Sequence, residues 1–203
     1  MYIAFEGIVW SGKTTQVKKL VQYLGSLWKR TLHVREPWWT PIAEDIRTLA
    51  QVKSWDNEHM HPLTNAYLYA AARSQVLHTL IKPALGAGEI VISDRCFLSS
   101  CAYQWEAQWL WIERVLEINK YAIDGITPDI IFYMDIDVDI ALSRTFDSSG
   151  DKWEHLWKSF FLDVILGYEK CEMLDIVKDK FIRLDTHGTE NDVFERVLKY
   201  ITI

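Results

Sequence analysis

The stretch GIVWSGKTT, residues 7–15, carries the residue types best suited to chemistry. One glycine is followed by four residues and then by Gly-Lys-Thr, which is the spacing of a phosphate-binding loop. Such a loop turns backbone amides towards phosphate oxygens, its lysine reaches the β- and γ-phosphates, and its threonine hydroxyl binds Mg²⁺. The spacing predicts nucleotide binding without identifying the phosphate acceptor. The expected cofactor-binding residues are Gly7, Ile8, Val9, Trp10, Ser11, Gly12, Lys13, Thr14 and Thr15.

Three further stretches suggest where a second phosphate could bind. The first, VREPWWTPIAEDIR, contains Arg35, Glu36 and Arg47. The second, YLYAAARSQ, contains Tyr69 and Arg73, and the third, SDRCFLSSCAYQW, contains Asp94 and Arg95. The planar fork of an arginine donates two hydrogen bonds at once, which suits a phosphate. A lone arginine is more often a surface ion-pair partner. Several of them beside a phosphate loop favour a phosphate-binding site.

Alternating apolar and amphipathic segments indicate the elements that position these residues. Strands are predicted at 2–6, 31–36, 89–94, 130–137 and 180–184. Helices are predicted near 13–25, 42–51, 63–85, 97–120, 138–145, 157–175 and 190–200. Strand followed by helix, repeated five times, predicts an α/β fold with a five-stranded parallel sheet between helices. We expect a single domain over residues 1–203, with a short lid at about 145–157.

Composition excludes several classes of protein. The 203-residue chain has 49% hydrophobic and 25% charged residues, as ordinary globular proteins do, and a net charge of −6, which argues against bulk nucleic-acid binding. Apolar stretches are too short to span a bilayer. The three cysteines have no paired spacing, so we expect reduced thiols and a cytoplasmic location, with neither a nucleic-acid nor a membrane partner.

Taken together, the motifs FEGI..SGKTTQ, REP..TPIAEDIR, YAAARSQ, DR..LSSCAYQ and TPDIIFYMDID resemble the thymidylate (dTMP) kinase family. The resemblance runs in the family's order over essentially the whole chain. It implies a P-loop three-layer fold, transfer of the γ-phosphoryl group of ATP to dTMP with Mg²⁺, and a homodimer. Two alternatives remain open: a non-catalytic nucleotide-binding relative, and a kinase for another (deoxy)nucleoside monophosphate.

The resemblance also implies roles for individual residues. Tyr69 would stack on thymine, Ser100 and Gln104 would meet the base, and Tyr103 would crowd the sugar 2′ position. The arginines expected to hold the acceptor phosphate are Arg47, Arg73 and Arg95. Asp94 and Glu36 would lie near the metal and the phosphates, and the implied metal-binding residues are Thr14 and Asp94. The implied catalytic residues are Lys13, Arg95, Arg144 and Lys152, the last where the family commonly has arginine.

The chain departs from the family pattern mainly in its tryptophans. Val9 stands where an acidic residue is usual, and Cys96 where an aromatic residue or histidine is common. Eight tryptophans stand where glycine would be expected or natural: Trp10, Trp28, Trp38, Trp39, Trp105, Trp109, Trp111 and Trp157. The chain has 9 glycines, against roughly 14 for average usage.

The excess of tryptophan and the deficit of glycine suggest a common cause. Our hypothesis is that the gene has a UGA codon at these eight positions. Some bacterial lineages translate UGA as glycine, and another genetic code translates it as tryptophan. Trp55 and Trp153 look like ordinary aromatic residues. The alternative is that all ten tryptophans are genuine. If the hypothesis is right, the chain with tryptophan at these positions should bind nucleotide weakly and catalyse slowly.

Overall fold

In the described part of the chain, five strands form one parallel sheet. The computed structural model describes residues 1–51, 59–106, 109–144 and 158–202. The strands are β1 (Tyr2–Glu6), β2 (Thr31–Arg35), β3 (Ile90–Asp94), β4 (Ile130–Asp135) and β5 (Phe181–Asp185), in the order β2-β3-β1-β4-β5. Ladder pairs such as Phe5 with Asp94 and Phe5 with Phe132 align the strands in parallel. The predicted sheet is confirmed, with every strand close to its predicted bounds.

Nine helices flank this sheet within the same residues. They are α1 (Lys13–Ser26), α2 (Pro41–Ala50), α3 (Pro62–Val76), α4 (Lys82–Gly86), α5 (Leu98–Ser100), α6 (Ile112–Ile123), α7 (Val138–Ser143), α8 (Lys158–Glu172) and α9 (Glu190–Leu198). A π-helical turn, Leu77–Ile81, joins α3 to α4. None of the helices in these ranges is long and apolar enough to cross a membrane.

The core lies on both faces of the sheet, which explains the near-continuous apolar strands. On one face, Ile3 and Phe5 of β1 pack with Leu20 of α1 and Val197 of α9. On the other face, Ala4 belongs to a cluster that includes residues of α6 and α8. Parallel strands are covered on both faces in this way, so alternation of polar and apolar residues is lost. The three-layer arrangement is therefore confirmed.

The single helix predicted over residues 97–120 is wrong. After α5, the backbone forms a π-helical segment, Cys101–Glu106, and α6 begins only at Ile112. Trp109 has a φ of 60°, and Trp111 is extended with φ −64° and ψ 133°. Two such residues end one helix and begin another, although the apolar pattern continues across the break. The predicted lid, about 145–157, lies outside the described residues.

Candidate active site

Two clefts meet at the carboxyl edge of the sheet, where β1, β2 and β3 end. The first has a volume of ≈ 580 Å³ and is lined by the phosphate loop, Arg144 and residues 186–193. The second has a volume of only ≈ 60 Å³ and is lined by residues that follow β2, by α3 and by the segment after β3. Val9, Arg35 and Arg95 line both clefts. A group bound in one cleft would meet a group bound in the other beside these three residues.

The phosphate loop connects β1 to α1. Its last glycine, Gly12, caps α1 with a φ of 92° and makes no side-chain cap, so the first amides of the helix face the cleft. The Nζ atom of Lys13 donates to the carbonyls of Ile8 at 2.6 Å and Gly7 at 3.1 Å. Burial and then the nearby Arg95 lower the pKa of Lys13. An arriving phosphate would favour the charged lysine because it supplies the missing negative charge.

A threonine and an aspartate form a set of oxygen donors beside the loop. The Thr14 hydroxyl donates to Oδ2 of Asp94 at 2.5 Å. The other oxygen, Oδ1, is buried without a hydrogen-bond partner among the described residues. Hydroxyl and carboxylate oxygens suit Mg²⁺, which usually completes its shell with phosphates and water. These two residues, both expected from the sequence, therefore fit a magnesium ion.

Arg95 is held in place by a buried network around the end of β1. Its Nη1 donates to the Gly7 carbonyl at 3.1 Å, the Ser99 hydroxyl at 3.0 Å and the Tyr168 hydroxyl at 3.3 Å. The Glu6 carboxylate accepts hydrogen bonds from Ser99 and Tyr168, both at 2.7 Å. Burial opposes the charge on Arg95, but the nearby tyrosines and carboxylates outweigh it and raise the pKa of Arg95. The arginine therefore stays protonated at the junction of the clefts.

Arg73 lies in a second buried network rather than on the surface. Its Nε donates to Oε2 of Glu36 at 2.6 Å, and both residues are 2% exposed. Its remaining nitrogens donate to Ser100 Oγ at 3.0 Å, to Asn119 Oδ1 and to the Cys96 carbonyl at 3.3 Å. Burial raises the pKa of Glu36 against the opposing effect of Arg73. Four of the five guanidinium hydrogens are thus engaged by the protein.

A tryptophan that lines the second cleft lies between two other arginines. The Trp38 ring centroid is 4.3 Å from the guanidinium carbon of Arg35 and 4.2 Å from that of Arg47. The volume of the cleft, ≈ 60 Å³, is well below the roughly 300–1,000 Å³ of ligand pockets. Trp38 therefore stacks on the guanidinium faces of both arginines and takes up space beside the N–H edges that a phosphate would use.

A glycine in α8 brings that helix against the second cleft. A Cβ atom built on Gly167 would lie 2.8 Å from the backbone Cα of Ala102. A larger side chain would push α8 away from the π-helical segment that carries Tyr103 and Gln104. The next residue, Tyr168, is the one whose hydroxyl meets Glu6 and Arg95.

The structure brings together most of the residues expected from the sequence. Arg47 lines neither cleft and instead packs against the Trp38 ring, and Lys152 lies outside the described residues. Tyr69, Ser100, Tyr103 and Gln104 line the second cleft with Glu36 and Arg73. Oε1 of Gln104 is buried without a hydrogen-bond partner among the described residues. Arg144 donates from Nη1 to the carbonyl of Trp10 at 2.9 Å, which places it above the phosphate loop.

Sequence reasoning missed several residues of the site. Arg35, to which the sequence assigns no role, lines both clefts. The others are Glu6, Ser99, Asn119, Tyr168, Thr186, Gly188 and Glu190. A charged residue at the end of an apolar strand was a signal for Glu6. Residues 186–190 directly follow β5, so their place at the carboxyl edge could also have been inferred.

A phosphate loop at the head of a parallel α/β sheet, beside an arginine-lined second cleft, defines a P-loop nucleotide kinase. A family model described as "Thymidylate kinase" matches residues 5–197. The chain is 38% identical to a thymidylate kinase of Thermosipho africanus over 97% of this chain and 95% of that protein. It is also 37% identical to a thymidylate kinase of Lactobacillus helveticus, over 97% of this chain and 93% of that protein.

A solved structure agrees with these relatives. The crystal structure of a thymidylate kinase from Ehrlichia chaffeensis superposes with a TM-score of 0.79 at 27% identity, covering 100% of this chain and 98% of the other. This chain belongs to the thymidylate kinase family. It is accordingly an ATP-dependent nucleoside monophosphate kinase.

Proposed function

We propose that this chain transfers the γ-phosphoryl group of ATP to dTMP, giving dTDP and ADP, by the residue roles set out below. The observation that carries the proposal is the junction of the two clefts at Val9, Arg35 and Arg95. Phosphoryl transfer requires little covalent work from a protein. It requires alignment of donor and acceptor, with cations around the negative charge that spreads over the transferred group.

The first cleft suits the donor nucleotide. The loop amides and Lys13 would hold the β- and γ-phosphates, and Arg144 would add charge from above the loop. Thr14 and Asp94 would hold Mg²⁺, which when bound neutralises charge on the phosphates. The cleft continues to Thr186 and Gly188, so the nucleoside part of ATP would lie along the residues that follow β5.

The second cleft suits the acceptor nucleotide. Arg95 and Arg35 line both clefts and would hold the acceptor phosphate, together with Arg47 on the other side of Trp38. Arg73 lines only the second cleft and has one Nη2 hydrogen beyond the protein contacts described above. It would therefore meet the acceptor deeper in the cleft, with Ser100 and Gln104 beside the base. Tyr69 would stack on the base and Tyr103 would crowd the sugar.

We further propose that the enzyme is a cytoplasmic homodimer, as the resemblance implies. A surface depression between α3 and α6 contains the exposed side chains Tyr67 and Tyr121. Exposed aromatic residues grouped in this way favour burial against another protein surface. Light scattering after size-exclusion chromatography distinguishes the dimer from the monomer.

A coupled ATPase assay against a panel of nucleoside monophosphates tests the proposed reaction. It should be run on the chain with tryptophan at position 38 and on Trp38→Gly, because Trp38 lines the narrow second cleft. We expect Mg²⁺-dependent turnover of dTMP, with dUMP poorer by about 10- to 200-fold because it lacks one methyl group. Equal rates on dTMP, dCMP and dGMP would refute the assignment. Nucleotide binding without turnover in both forms would favour the non-catalytic relative.

Substitution of Lys13 tests the role of the phosphate loop. Lys13→Ala should lower kcat far more than it weakens dTMP binding, because the lysine acts on the transferring phosphoryl group. Lys18→Ala, in the same helix but exposed, is the matched control and should leave kcat unchanged.

Arg73→Ala should chiefly raise KM for dTMP. The reverse pattern for Lys13 and Arg73 would show that these roles are wrongly assigned.

A further inference from the structure

Among the described residues other than glycine, tryptophan accounts for most of the positive φ angles. Among the described residues, six that are not glycine have a positive φ: Trp10 (56°), Trp28 (59°), Trp39 (90°), Arg95 (78°), Trp109 (60°) and Asp124 (45°). Residues with a Cβ atom rarely adopt this left-handed region, although aspartate tolerates it better than most. Four of the six are tryptophans, and all four belong to the set that stands at glycine-like positions.

Trp28 occupies a position where helices most often have glycine. The amide of Trp28 donates to the Gly25 carbonyl and that of Lys29 to the Leu24 carbonyl, both at 3.0 Å. This pair of bonds is a complete Schellman motif, whose left-handed residue is usually glycine. The Trp28 side chain is 94% exposed. No burial of the indole therefore offsets the cost of its backbone conformation.

Trp109 and Trp39 also bury too little of their side chains to offset the cost of a left-handed backbone. Trp109 is 85% exposed, in the break between the π-helical segment and α6. Trp39 is 47% exposed, and its ring lies 5.1 Å from that of His33. Exposed indoles at left-handed positions combine two unfavourable features, because the backbone is strained and the apolar surface remains in water.

Trp10 and Trp38 add a functional reason to the conformational one. Trp10 is left-handed inside the phosphate loop and lines the first cleft. Trp38 lies against Arg35 and Arg47 and lines the second cleft, whose volume is only ≈ 60 Å³. Backbone that must approach a phosphate closely is where glycine is most useful. Glycine in place of tryptophan would thus relieve the backbone strain at position 10 and open the acceptor cleft at position 38.

We propose that positions 10, 28, 38, 39 and 109 are glycine in the protein that its source cell makes. One codon accounts for all five, since UGA is glycine in one genetic code and tryptophan in another. The backbone conformations at positions 10, 28, 39 and 109 carry this inference independently of the catalytic assignment. Only its consequence for the acceptor cleft rests on the proposed function.

The gene and the native protein test the inference directly. The gene should have UGA at these five positions and UGG at Trp55 and Trp153. Peptides of the protein purified from its source should have masses that correspond to glycine at the five positions. UGG codons there, or native peptides that contain tryptophan, would overturn the inference whatever the enzyme's substrate is.

Recombinant variants test the physical argument. Changing Trp10, Trp28, Trp39 and Trp109 together to glycine should raise Tm by about 8–16 °C, because four left-handed residues lose their strain. The control is Trp111→Gly, since Trp111 is also exposed but has a φ of −64°. It should change Tm by less than about 2 °C. A similar or larger gain in this control, or no gain in the fourfold variant, would contradict the inference.

Binding distinguishes this inference from the proposed function. Trp38→Gly should tighten dTMP binding by at least about tenfold, measured by calorimetry, because a pocket of ligand size opens. A gain for another nucleoside monophosphate instead would overturn the proposed substrate and support glycine at position 38. Unchanged binding of every monophosphate would contradict glycine at that position.

Discussion

The ends of α1 and α4 have the same hydrogen-bond motif but different residues at its left-handed position. At α4, the amide of Gly88 donates to Leu85 and that of Glu89 to Ala84, both at 3.0 Å, and Gly88 has a φ of 75°. At α1, Trp28 takes the place of Gly88, with a φ of 59°. A Cβ atom added at Gly88 would have no heavy atom within 4 Å. Backbone conformation, not space, therefore favours glycine at both ends.

Arg95 shows what it takes to hold a residue with a Cβ atom in this conformation. Its φ is 78°, but its guanidinium group makes three hydrogen bonds in a buried network beside Glu6. Strained conformations persist at functional sites when surrounding contacts hold them there. The exposed indole of Trp28 has no comparable set of contacts. Left-handed residues in this protein thus fall into two kinds, those held by their side chains and those tolerated at a cost.

Among single substitutions at the two helix ends, the largest effect on stability is expected from placing tryptophan at the α4 end, as at the α1 end. Gly88→Trp should lower the free energy of unfolding by about 2 kcal/mol, because a residue with a Cβ atom is forced into the left-handed region. Thermal and urea unfolding would measure it. Gly86→Trp is the control, since Gly86 is also exposed but has a negative φ. An equal loss at both positions would mean that the indole itself, and not its φ, is destabilising.

The reverse change at α1 should have a smaller effect. Trp28→Gly should raise the free energy of unfolding by about 1 kcal/mol, since relief of strain is partly offset by the greater freedom of glycine in the unfolded chain. The free energy of unfolding of Trp28→Asn should lie between those of the tryptophan and glycine forms, because asparagine tolerates this conformation. A loss of stability in Trp28→Gly would show that the tryptophan makes a favourable contact at this helix end.

Much of the fold could be predicted because it depends on local patterns. Buried strands such as 2–6 and 89–94 are short apolar runs, and the phosphate loop has a fixed spacing between its glycines and its lysine. The break between Cys101–Glu106 and α6 could not be predicted from apolar periodicity, since apolar residues continue through it. The break is determined by the backbone conformations of Trp109 and Trp111. Glycine at these positions would have marked it.

The side-chain networks of the site depend on distant parts of the chain. Arg73 meets Glu36 and Asn119, which are 37 and 46 residues away, and Tyr168 meets Glu6 across 162 residues. No spacing rule relates such residues, so sequence reasoning could assign Arg73 to the site but not to a buried ion pair. The same limit explains why Glu6 and Tyr168 were missed. Their importance follows from the topology that places α8 beside the end of β1.

The beginnings of α1 and α9 extend the comparison to helix N-termini, where we expect the smallest effect. At α9, Thr189 and Asp192 form a capping box: the Thr189 hydroxyl accepts from the Asp192 amide at 3.2 Å, and Oδ2 of Asp192 accepts from the Thr189 amide at 2.7 Å. At α1, Gly12 caps the helix without a side chain. The start of α1 thus keeps its amides for a ligand, whereas α9, whose first residues also line the first cleft, satisfies its own.

The capping box of α9 should make stability depend weakly on pH. Hydrogen bonds from Thr189 lower the pKa of Asp192, so its contribution is present above the ordinary aspartate value of about 3.9 and is lost as the pH falls through the lowered value. Asp192→Asn should therefore reduce Tm slightly at pH 7, and the difference should close under acidic conditions. Asp179→Asn, an exposed aspartate outside the box, controls for the loss of charge. A difference that persisted unchanged in acid would show that Asp192 stabilises α9 by something other than its carboxylate charge.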